Sequence, residues 1–92
     1  MASVVVTLKI MPKSPDVDLK AVEEKIKSEI VAFAGEGETK TEVEPVAFGL
    51  KALKIIFVMD EAKGSTEPLE KKIQEVEGVN SVEVTDVRRA IG

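Results

Sequence analysis

The chain has 92 residues, a formal net charge of −4 and 43% hydrophobic residues, with no cysteine, histidine, tyrosine or tryptophan. That is one domain, residues 1–92, with a modest core that buries about 60% of the surface the unfolded chain exposes. The acidic balance argues against nonspecific nucleic-acid binding and against an anionic membrane surface; the missing imidazole and thiol remove disulfides, thiolate nucleophiles, the usual neutral-pH base and the commonest metal ligand, so a self-sufficient enzyme is disfavoured.

No apolar run approaches the roughly 18 residues of a membrane span. The N-terminal segment has no basic opening ahead of its apolar run, unlike a signal peptide. A cytoplasmic setting is expected.

Val4 to Met11 reads as the first strand. Val4, Val6, Leu8 and Ile10 share one face, with Val5, Thr7 and Lys9 on the other. Pro12 ends it, because proline has no N–H for a ladder. After the loop Lys13-Ser14-Pro15-Asp16-Val17, Asp18 is placed to cap a helix. Leu19, Val22, Ile26, Ile30 and Phe33 then step by three or four along one helical face. Glu23 and Lys27 stand in the favourable i,i+4 order on the outer face, and Gly35 and Gly37 stop the helix.

Lys40 to Val46 reads as a second strand, with Val43 as its core anchor. Pro45 marks it as an edge strand or a bulge. A turn at Ala47-Phe48-Gly49 leads into Leu50 to Met59. There Leu53, Ile55, Phe57 and Met59 alternate, and Ile56 and Val58 make the other face apolar too. A strand apolar on both faces belongs in the middle of its sheet. Asp60-Glu61 and Lys63-Gly64 form the next loop. Ser65 or Thr66 caps a second helix whose inward stripe is Leu69, Ile73 and Val76, with Gly78 as its stop. Ser81 to Val87 is the last strand, with Val82 and Val84 inward, and Arg88-Arg89 follow as a basic tail.

The order β-α-β-β-α-β predicts an α+β, ferredoxin-like sandwich: a four-stranded antiparallel sheet with two helices on one face. The helix-free face carries Val5, Ile56 and Val58 among Thr7, Lys9 and Lys54. Its simplest reading is a mixed polar and apolar surface; its functional reading is a contact surface for another protein.

Motifs that carry chemistry are scarce. Gly35-Glu36-Gly37 has neither the spacing nor the context of a phosphate loop. Lys63-Gly64-Ser65-Thr66 precedes a helix N-terminus, where an anion can bind, but a plain helix start explains it. Asp60 and Glu61 lack a third ligand for a hard cation, so no metal site is expected. Phe57 alone stands where an RNA-binding sheet needs several stacking aromatics.

The segment Glu44-Pro45-Val46-Ala47-Phe48-Gly49-Leu50-Lys51-Ala52-Leu53 resembles the P-V-G-[FY]-G-I-K-K-L motif of the guanine-nucleotide exchange domain of elongation factor 1-beta. The similarity continues through Asp60-Glu61-Ala62-Lys63 and Val79-Asn80-Ser81-Val82-Glu83-Val84, and the short chain is similar to the archaeal branch. The resemblance implies nucleotide exchange on the GTPase elongation factor 1-alpha, with no cofactor and no covalent chemistry. It implies that Phe48, flanked by Gly49 and Lys51, enters a pocket on the GTPase. It also implies that a C-terminal cation reaches toward the magnesium and phosphates; alignment of the last strand puts Arg89 there, beside Arg88. The chain departs from the family pattern at Ala47 for glycine, at Ala52 for lysine, at Arg89 for the C-terminal lysine, and in the loop Lys13-Ser14-Pro15-Asp16.

Two other classes fit the same architecture: a small-molecule-sensing regulatory domain that dimerises through an open sheet edge, and a structural ribosome-associated protein. The sequence leaves the oligomeric state open.

Overall fold

The computed structural model describes residues 3–35, 37–47 and 49–90. Its elements are β1 (Ser3–Pro12), α1 (Leu19–Ala34), β2 (Thr39–Pro45), β3 (Lys51–Asp60), a 3-10 turn η1 (Glu61–Lys63), α2 (Glu67–Gln74) and β4 (Val79–Ala90). The strands make one sheet in the order β2-β3-β1-β4, and every neighbouring pair is antiparallel. This is the expected ferredoxin-like arrangement. β3 is interior and β2 is an edge, as the apolar faces of one and the proline of the other predict.

The core lies between one sheet face and both helices. Val6, Leu8 and Ile10 of β1 and Leu53, Ile55, Phe57 and Met59 of β3 bury against Val22, Ile26 and Ile30 of α1 and Leu69 and Ile73 of α2. Phe33 and Val76 are half-buried at its margin. The Asp18 carboxylate accepts from the N–H groups of Lys20 and Ala21 at 3.1 and 3.4 Å, which caps α1. The N–H of Gly35 closes the other end on the Val31 carbonyl at 2.8 Å. Glu23 and Lys27 pair at 2.8 Å on the outer face. At the start of α2, Ser65 Oγ accepts from the Glu67 N–H at 3.1 Å, while the Thr66 hydroxyl donates to Glu70 Oε2 at 3.0 Å.

Three expectations are corrected. Val43 is no core anchor, being 51% exposed. Its register opposite Leu53 puts it on the helix side, but α1 packs over β3 and leaves Val43 uncovered. α2 ends at Gln74, four residues before Gly78. The last strand is longer than Ser81 to Val87: it runs from Val79 to Ala90 and pairs with β1 over its whole length. Arg88 and Arg89 are therefore strand residues rather than a free tail. Bulges near Thr85 and Asn80 interrupt that pairing, and the Thr85 hydroxyl donates to the Thr7 carbonyl at 3.4 Å.

Candidate functional site

The register assigns each basic candidate to a face, because residues directly opposite in neighbouring strands share a side of the sheet. Arg88 stands opposite Val5, and Val5 opposite Val58, on the helix-free face. Arg88 Nε pairs with Asp86 Oδ2 at 2.8 Å on that same face. Arg89 stands opposite Val4, which stands opposite Met59, on the helix side. There its guanidinium bonds the Glu61 carboxylate, the first residue of η1.

The helix-free face is mixed, as its sequence suggests. Across the four strands Glu42, Lys54, Lys9 and Glu83 form one row, and Lys40, Ile56, Thr7 and Asp86 the next. Thr7 is buried within that row.

The candidate turn lies at the other end of the sheet. Pro45 pairs with Lys51, and Val46 and Leu50 close the hairpin, the Val46 N–H donating to Leu50 O and the Leu50 N–H to Ala47 O, both at 2.9 Å. Gly49 turns the chain at φ +79°, a value that side chains other than glycine resist. Lys51 and Gly49 are exposed. Phe48 itself lies outside the described residues. Beside the turn an open cleft of about 450 Å³ runs between Gly49 and Lys51 and the loop from Pro12 to the start of α1.

The candidates therefore form two groups and not one cluster. Gly49 and Lys51 sit where β3 begins; Arg88 and Arg89 sit where it ends, since Ser3 pairs with both Asp60 and Ala90. The ten residues of β3 span about 30 Å. That is farther than a single small ligand reaches, and within the reach of a protein surface.

Asp60 and Glu61, read from sequence as a loop, have separate tasks. Asp60 Oδ1 caps η1 by accepting from the Ala62 N–H at 2.9 Å, and Glu61 engages Arg89. Sequence reasoning did not find this pairing, and no local spacing signals it. Among the described residues, no three carboxylate, imidazole or thiol side chains gather as a metal site requires, and no helix is long and apolar enough to cross a membrane.

The described residues form a small α+β sandwich with exposed basic residues at both ends of the sheet and the turn at one of them. The chain belongs to the EF-1 guanine nucleotide exchange domain family, whose pattern it matches over residues 5–90. It is similar to proteins named elongation factor 1-beta from three archaea. The one from Methanothermobacter thermautotrophicus is 47% identical over 89 residues, covering 97% of this chain and 98% of that protein. The one from Methanobrevibacter smithii is 49% identical over 90 residues, with the same coverage. The one from Staphylothermus marinus is 46% identical over 91 residues, again with 97% and 98% covered. Among solved structures, a de novo designed protein, Foldit4, superposes with a TM-score of 0.63 over 98% of both chains. At 18% identity that likeness shows the fold alone.

Proposed function

We propose that residues 1–92 act as one exchange domain that promotes replacement of GDP by GTP on elongation factor 1-alpha in the cytoplasm. The observation that carries the reading is the family match, which spans both groups of candidate residues. Phe48 enters a pocket on the GTPase, with Gly49 and Lys51 shaping and flanking the turn. Arg89 supplies the cation near the magnesium and phosphates, and Arg88 lies beside it. The two contacts are about 30 Å apart along β3, so the GTPase must lie along the length of the sheet.

Exchange by this route needs no nucleophile and no base. The factor binds the nucleotide-free GTPase more tightly than the loaded one, and by linkage it lowers nucleotide affinity by the same ratio. A chain with neither histidine nor cysteine is equipped for that task.

Calorimetric titration against nucleotide-free elongation factor 1-alpha tests the reading. A tight complex that excess GDP and magnesium dissolve is the expected result. Binding indifferent to nucleotide removes the exchange mechanism, and absence of binding returns the chain to a dimerising regulatory role.

A further inference from the structure

We infer that Glu61 governs the availability of Arg89: its carboxylate holds the guanidinium in the free protein, and that contact is given up when Arg89 acts. The inference rests on the exchange reading above.

The contact follows from the sheet. β1 lies between β3 and β4, so the end of β3 and Arg89 are two strand spacings apart, about 10 Å. A glutamate and an arginine side chain together cross that gap, and both are on the helix side. Glu61 is presented from a turn fastened at both ends: Asp60 Oδ1 holds the Ala62 N–H, and the Gly64 N–H donates to the Glu61 carbonyl at 3.2 Å. Arg88, one residue away, faces the opposite side and pairs with Asp86. Glu61 therefore selects between two adjacent arginines.

The chemistry of the pair sets the consequence. Carboxylate and phosphate oxygens compete for the same guanidinium donors. While Glu61 neutralises Arg89, the arginine offers little net field to a nucleotide phosphate or to the magnesium beside it. The side chains of Arg89 and Glu61 are 66% and 44% exposed, so water weakens the pair. Exposed ion pairs of this kind hold by a factor of about five at most. That is enough to bias the arginine and too little to lock it. Glu61 is thus a residue that acts through Arg89 and does not itself touch the nucleotide.

The test is release of fluorescent GDP from elongation factor 1-alpha, with the full chain limiting, for wild type, Glu61→Gln, Arg89→Ala and the double variant. Glu61→Gln keeps the side chain's size and removes its charge. It is expected to accelerate release up to about fivefold at low ionic strength, with the gain shrinking as salt screens the pair. In the Arg89→Ala background the same substitution should change nothing. Release by Glu61→Gln that is unchanged or slower overturns the inference, because Glu61 is then inert or orients Arg89 productively. An equal gain in both backgrounds also overturns it, since the effect then bypasses Arg89. Wild-type chain that fails to accelerate release refutes the exchange reading itself, a result distinct from either of those.

Discussion

Arg88 and Arg89 are adjacent in β4 yet serve opposite faces: Arg88 is registered with Val5 on the helix-free side and Arg89 with Val4 on the helix side. One substitution at a time should therefore separate them. Arg89→Ala is expected to slow stimulated GDP release more than it weakens complex formation, because its proposed role is in ejecting the nucleotide. Arg88→Ala should matter less. Neither should shift stability by more than about 1 kcal/mol, the upper end of what an exposed ion pair contributes. Equal, small effects on release would remove the specific role of Arg89.

Phe48 is proposed as a wedge and not as a core residue. Phe48→Ala should weaken binding to the GTPase while leaving the unfolding free energy within about 0.5 kcal/mol of wild type. Loss of a core phenylalanine typically costs about 3–5 kcal/mol, so the two roles are easily told apart. A variant that melts far lower, yet exchanges normally per folded molecule, shows Phe48 to be packed inside.

What was legible in the sequence was local. β1 alternates, β3 is apolar on both faces as an interior strand is, and the helix-side residues of both meet the same core. The i,i+3 and i,i+4 stripe of α1 gave Val22, Ile26 and Ile30, all buried. β4 was read too short at its end because Arg88 and Arg89 look like tail composition. Pairing with Val5 and Val4 of β1 keeps both arginines in the ladder, and that partner is invisible in the local pattern. The two candidate groups were visible as motifs, but their separation by the length of β3 depends on the hairpin register. Glu61 and Arg89 are 28 positions apart in the chain; only the insertion of β1 between β3 and β4 brings them together.

Thr41 carries a cost that the fold does not recover. It lies on the helix side of β2 opposite Ile55, and its Oγ1 is buried with no hydrogen-bond partner among the described residues. Valine has the same branched shape and no hydroxyl to desolvate. Thr41→Val is expected to raise unfolding stability by about 1 kcal/mol, at the low end of what an unmet buried polar group costs. A loss of stability in urea denaturation would show that the hydroxyl is satisfied in solution.

Gly78 and Gly49 together separate two costs of replacing glycine. Both have positive φ, +95° and +79°. A Cβ on Gly49 meets nothing within 4 Å, whereas a Cβ on Gly78 would lie 2.9 Å from Val17 Cγ1 and 3.4 Å from Val22 Cγ2. Val22 is in the core and Val17 packs against it, so neither retreats freely. The Gly78 carbonyl also accepts from the Lys13 N–H at 2.9 Å, tying the β4 approach to the loop that follows β1. Gly49→Ala should cost about 1–2 kcal/mol, from backbone strain alone. Gly78→Ala should cost that and about 1–3 kcal/mol more for overpacking. In the Gly78→Ala background, Val17→Ala removes the clashing methyls and should recover part of the loss. Urea denaturation of the four chains, wild type included where Val17→Ala alone supplies the fourth corner of the cycle, reads the coupling between positions 17 and 78 directly. Strict additivity would show that the backbone angle at Gly78, and not its contact with Val17, is what demands glycine there.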